Sequence, residues 1–198
     1  TARAPADGYT FIISTVGSWA VAPHLSKLSY DVQTDFAPLI HLATTPGVLL
    51  VHPSVPAKSV AELIALAKAR PGALDYASGA SGASTHLGPE LFKAMGKLNI
   101  VRVAYKGTGG SLIGILSGEV GLMFPTAGSV TPYIKSGKLR ALAVTGAKRA
   151  HALAEVPTIA EQGVQGASLQ EIARRADVIL LSLPDGKAVR AVIAFYTG

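Results

Sequence analysis

Between Tyr76 and His86 the chain reads Tyr-Ala-Ser-Gly-Ala-Ser-Gly-Ala-Ser-Thr-His, a run of small residues rich in hydroxyls and unhindered backbone N–H groups. Set between a strand and a helix, this loop presents Ser78, Ser81, Ser84 and Thr85 beside a helix N-terminus. There the macrodipole and unpaired amides favour a carboxylate or a phosphate. A flexible connection with ordinary Ser/Thr caps has the same composition. The loop is not a Walker A sequence, because no Gly-Lys-Ser/Thr ends it. It is not a nucleophile elbow either, because Ser81 and Ser84 lack the G-x-S-x-G frame. His86 and Glu90 stand four apart on one helix face and could hold a metal, but no third ligand accompanies them, so no metal site is assigned.

Three further segments have the same chemistry. Tyr105-Lys-Gly-Thr-Gly-Gly110 places Tyr105, the Lys106 cation and free amides ahead of a helix; its glycines do not complete G-x-G-x-x-G because Leu112 occupies the last position. Thr15-Val-Gly-Ser18 and Thr126-Ala-Gly-Ser129 add two more hydroxyl pairs. Lys106 also fits an ordinary surface lysine. Taken together, the segments favour recognition of a small polar anion by hydrogen bonds. No matched acid/base pair sits among them to run a proton-transfer reaction, so no catalytic residue is assigned.

These loops need strands and helices to position them, and the patterning supplies both. Tyr9–Ser14, Val48–Val51, Leu74–Ala77, Ile100–Ala104, Val120–Phe124 and Ala141–Thr145 read as buried strands. They alternate with helical segments in the manner of α/β architecture. The clearest helix is Val60–Arg70, opened by the S-x-x-E capping box of Ser59 and Glu62 and closed by Pro71-Gly72. Others are expected over 86–95, 111–116 and 129–136. Ligands of open α/β sheets gather beyond the carboxyl ends of the strands, where each of these loops lies.

Composition narrows the classes. The 198 residues are 49% hydrophobic, enough to bury a core, and contain no cysteine, which excludes disulfides and thiolate chemistry. The formal charge of +6 draws anions, but the basic residues are scattered and aromatics are only 6%, so nucleic acid is not expected as a partner. No apolar run approaches the roughly 20 residues of a membrane-spanning helix. The first residues lack the pattern of a signal peptide, and a leader removed earlier would leave the same start.

Ordered motifs then point to a family. Asp7-Gly-Tyr-Thr10, Ala22-Pro-His-Leu25, Asp35-Phe-Ala-Pro38, Val51-His-Pro-Ser54 and Pro56-Ala-Lys-Ser-Val-Ala-Glu-Leu63 resemble those of the tripartite tricarboxylate transporter receptors, the Bug proteins. So do Tyr76-Ala-Ser78, Tyr105-Lys-Gly107, the run from Ile134 to Thr145 and Val156-Pro-Thr158. The resemblance runs from about Ala4 to Gly163. It implies a two-lobed periplasmic binding protein of type II fold that closes on a small carboxylate and presents it to membrane permease subunits. It implies no cofactor and no enzymatic activity, and leaves oligomeric state open.

Residues 1–40 with 149–198 would form a partial first lobe and 41–148 the second, with hinges near Leu39–Leu42 and Ala143–Lys148. Carried over by motif, the cleft would use Thr15, Ser18, Ser78, Ser81, Ser84, Thr85, Tyr105, Lys106, Thr126 and Ser129. The chain opens downstream of the family's first strand and its Pro/Gly-rich loop, so the fold is expected to be truncated at the N-terminus. Pro125 stands where many members carry an Asp that reads an amino group, which disfavours an amino-acid ligand.

Beyond Gly166 the sequence is atypical. From Ser168 to Ile193 it is similar to an inner helix–strand–helix unit of 3-hydroxyisobutyrate-type dehydrogenases, without the strand and glycine fingerprint that bind NAD. Two alternatives to the receptor therefore stand: a remnant without specific binding, and a fragment of an NAD-dependent hydroxyacid dehydrogenase.

Overall fold

The computed structural model describes residues 2–15 and 17–163. The expected elements from 168 to 193 lie outside the described residues. A five-stranded mixed sheet organises the rest, in the order β3-β2-β4-β1-β5. Its strands are β1 (Val48–Val51), β2 (Asp75–Ser78), β3 (Val101–Ala104), β4 (Leu122–Met123) and β5 (Arg140–Val144). β2 runs parallel to β3 and β4, while β1 is antiparallel to both β4 and β5.

Four helices cover the sheet: α2 (Val60–Ala69), α3 (Ser84–Gly96), α4 (Gly107–Leu116) and α5 (Ala127–Lys135). A short turn of helix, α1 (Ala22–Leu25), follows a wide helical turn at Gly17–Val21 near the start of the chain. One core layer packs Leu49, Tyr76 and Leu122 against Val60 and Leu63 of α2 and Phe92 of α3. The other packs Leu50, Ala77 and Met123 against Ile115 of α4 and Val130 of α5. The architecture is thus three-layered, with helices on both faces, as near-continuous apolar strands require.

The Ser59 half of the capping box forms as expected: Ser59 Oγ accepts from Glu62 N at 3.1 Å. Glu62 reaches back one residue further than the motif requires, its Oε2 accepting from Lys58 N at 2.7 Å. The helices after β2, β3 and β4 start two to four residues earlier than the apolar periodicity indicated. A first helical turn needs no intrahelical donor, so small residues such as Gly107–Gly110 enter the helix and are not loop.

The strand expected at Tyr9–Ser14 does not form. The segment carries no ladder partner among the described residues, and its side chains lie open, Tyr9 at 89% and Ile13 at 83% exposure. An apolar run becomes a strand only when a neighbour accepts its backbone hydrogen bonds.

Candidate functional site

The directions of the strands bring the candidate loops to one edge of the sheet. β2, β3, β4 and β5 all end there and the antiparallel β1 begins there. Gly47, just before β1, pairs with Thr126 in an isolated bridge, and its carbonyl accepts from Thr145 N at 2.9 Å. The loops at this edge and the first residues of the helices they enter, 79–84, 105–109, 124–129 and 145–149, contain Lys106, Lys148 and Arg149 and no acidic residue. Arg149 is neutralised by Glu161, 3.0 Å away.

The β2–α3 loop is held from both sides. From β3, Arg102 Nε donates to Ser78 Oγ at 2.8 Å, and Arg102 Nη2 donates to Ser81 Oγ at 3.2 Å and to the Gly79 carbonyl at 3.4 Å. From α3, the buried Thr85 Oγ1 accepts from Gly79 N at 3.0 Å, and His86 Nδ1 accepts from Gly82 N at 3.1 Å. Ser78 is fully buried, whereas Ser81 and Ser84 are exposed. Gly82 adopts φ +82°, and a Cβ there would meet Leu25 Cδ1 at 3.1 Å, so this turn requires glycine.

His86 and Glu90 each bond elsewhere. Among the described residues no group of three ligating side chains exists. Glu90 Oε1 instead accepts from Tyr76 Oη at 2.5 Å and from Lys93 Nζ at 2.8 Å. Burial alone works to raise the Glu90 pKa, but these hydrogen bonds outweigh it and hold the carboxyl below its usual range. Burial, with the nearby Arg102 charge, lowers that of His86.

The His86 shift has a consequence for stability. The unfolded chain takes up its imidazole proton near 6.5, before the folded protein does. The contribution is therefore complete above that value and is lost as the pH falls through it towards the depressed folded pKa. Protonating Nδ1 also breaks the bond from Gly82 N. Thermal unfolding midpoints measured from about pH 7.5 down to about pH 5.5 should fall more steeply for the wild type than for His86→Gln. Identical slopes would remove this account.

The other candidates occupy distinct places. Lys106 is exposed at the start of α4. Thr126 Oγ1 donates to Ser129 Oγ at 3.3 Å, and Ser129 Oγ donates to the Thr126 carbonyl at 2.8 Å, an arrangement that closes the first turn of α5. The Tyr105 ring turns back onto Gly110 and Gly114 of α4, and its hydroxyl is buried without a hydrogen-bond partner among the described residues. Burial first, and then the Glu119 carboxylate, which approaches the hydroxyl without reaching hydrogen-bond geometry, raises its pKa.

Thr15 and Ser18 belong to a different hollow, an open groove lined also by Arg3, Ser14, Trp19 and Phe36, which takes in none of the other candidates. Its link to the sheet edge is backbone packing: a Cβ on Gly17 would lie 2.7 Å from the Gly82 carbonyl oxygen. Arg102 is the site residue that the patterning missed. It interrupts the otherwise apolar Ile100–Ala104 and stands opposite Tyr76 in the register, and a lone cation in a strand against a covered face was the available signal.

Known proteins share this fold and these motifs. Residues 1–173 match the tripartite tricarboxylate transporter family receptor domain. The chain is 37% identical over 166 residues to the protein BugT of Bordetella pertussis, covering 82% of this chain and 51% of BugT. A solved structure of Rpa4515 from R. palustris with adipate superposes at a TM-score of 0.77 with 43% identity, over 83% of this chain and 56% of that one. The periplasmic binding protein BugD superposes at 0.59 with 30% identity, over 62% and 41% of the two chains. The chain spans about half the length of the curated relatives it matches. With the family domain matching residues 1–173 of its 198, the chain belongs to the tripartite tricarboxylate transporter receptor family.

Proposed function

We propose that this protein captures a small carboxylate at the carboxyl edge of its sheet and presents it, in the periplasm, to the permease subunits of a tripartite tricarboxylate-type transporter, with no catalytic step of its own. The observation that carries the reading is the chemistry of that edge. Hydroxyls, helix-start amides and the cations Lys106 and Lys148 lie at that one edge of the sheet, and the segments there contain no carboxylate to compete with a bound anion. Such a surface concentrates anions and binds them by charge-assisted hydrogen bonds. Adipate in the related Rpa4515 structure is consistent with this ligand class.

The reading keeps the division into a lobe of residues 41–148 and a partial lobe of 1–40 with 149–198, with hinges near Leu39–Leu42 and Ala143–Lys148. The five described strands all fall between Val48 and Val144, which supports the first of these lobes. Thr15 and Ser18 would close over the loop at Ser81, Ser84 and Thr85.

A panel of mono-, di- and tricarboxylates, each paired with its uncharged amide, tests the proposal by thermal shift and titration calorimetry. At least one acid should raise the unfolding midpoint in a dose-dependent way, because a ligand that binds only the folded state stabilises it by mass action. Folded protein that responds to no acid, or equally to the amides, would sink it.

A further inference from the structure

We infer that Arg102 is the residue that sets carboxylate specificity at this edge: it locks the serine loop in place and supplies the positive charge that the bound acid meets. The inference rests on the proposed function, whose ligand class it takes over. All three of its hydrogen bonds go to neutral oxygens, Ser78 Oγ, Ser81 Oγ and the Gly79 carbonyl. Among the described residues it has no acidic partner; the ion pairs there join Lys93 to Glu90 and Arg149 to Glu161. A partly buried arginine is ordinarily matched by a carboxylate, since an uncompensated charge in poorly solvated surroundings is costly.

The geometry leaves that carboxylate a place. Nε and Nη2 are committed to the loop, while Nη1 makes no hydrogen bond among the described residues and is not among the buried atoms left unsatisfied. Nη1 therefore keeps solvent-accessible surface from which it can donate. The Ser81 hydroxyl accepts from Nη2, so its own hydrogen remains to be donated, and Ser81 is exposed. Nη1 and Ser81 Oγ thus form adjacent donors suited to one carboxylate group, the planar recognition for which a guanidinium is fitted and a lysine is not. The absence of acids in the flanking loops keeps that charge from being cancelled.

Adipate titrated calorimetrically into wild type, Arg102→Gln and Arg102→Lys, at low and at high salt, tests this. Arg102→Gln should weaken binding roughly 10- to 100-fold, the range for losing hydrogen bonds to a charged group, and flatten the salt dependence. Arg102→Lys should restore the salt dependence but only part of the affinity, because a point charge cannot hold both the loop and the acid. Affinity of Arg102→Gln within about twofold of wild type with an unchanged salt slope would overturn the inference while leaving the proposed function intact. Wild-type affinity insensitive to salt would overturn it too, even if Arg102→Gln failed to fold. Wild type that takes up no adipate or any other acid of the panel would overturn both.

Discussion

Leu49→Ala and Leu50→Ala are each expected to destabilise the protein by roughly 2–5 kcal/mol, the range for emptying a buried leucine site that cannot collapse. Both side chains are fully buried, yet they serve opposite layers, Leu49 against α2 and α3 and Leu50 against α4 and α5. β1 lies between β4 and β5, so ladder hydrogen bonds fix it on both sides and limit how far it can shift to fill a void. Against a typical domain stability of about 5–15 kcal/mol, either loss is a large fraction. Urea unfolding midpoints measure it, and a cost below about 1 kcal/mol at either position would mean that the layer concerned is not close-packed. Carboxylate affinity should weaken as well, because β1 follows directly on Gly47, the backbone tie to Thr126 and Thr145.

The sheet was legible in the sequence because Val48–Val51, Leu122–Met123 and Leu142–Val144 are apolar without interruption, the mark of strands covered on both faces. Glycines hid the helix starts: Gly107, Gly109 and Gly110 read as loop because nothing local shows that Lys106 hands the chain into α4. Tyr9–Ser14 misled for the opposite reason. Its composition suits a strand, but strand formation depends on a partner elsewhere in space, which composition does not encode. The hydroxyl segments after β2, β3 and β4 come to one edge because they follow parallel strands, whereas Thr15–Ser18 follows no strand. Arg102 shows in the sequence only as a lone cation in an apolar strand; its partners at 78, 79 and 81 are joined to it only by the β2–β3 register. The motif places Tyr105 at the loop, and only packing shows that its ring folds back onto α4.

Gly114 and Tyr105 offer a test in which two rules predict opposite signs. Glycine within a helix ordinarily gains about 0.5–1 kcal/mol when replaced by alanine, because the unfolded chain loses freedom and propensity rises. At Gly109 and Gly128 an added Cβ meets nothing within 4 Å, so Gly109→Ala and Gly128→Ala should both stabilise. At Gly114 the added Cβ would lie 2.6 Å from Tyr105 Cζ and closer still to the hydroxyl. The ring is wedged against the layer around Ile115 and cannot simply swing away. Gly114→Ala should therefore lose about 1–3 kcal/mol, the usual cost of overpacking, with the helix gain only partly offsetting it. Tyr105→Phe removes a buried hydroxyl that has no partner and should be neutral or stabilising by up to about 1 kcal/mol. It should also leave carboxylate affinity within about twofold, whereas a hydroxyl that donated to the ligand would cost about tenfold. Denaturant unfolding of the glycine variants and calorimetry on Tyr105→Phe decide the matter. If Gly114→Ala stabilises as Gly109→Ala does, the ring does not rest on Gly114. If Tyr105→Phe loses tenfold in affinity, the hydroxyl turns to the cleft when ligand arrives.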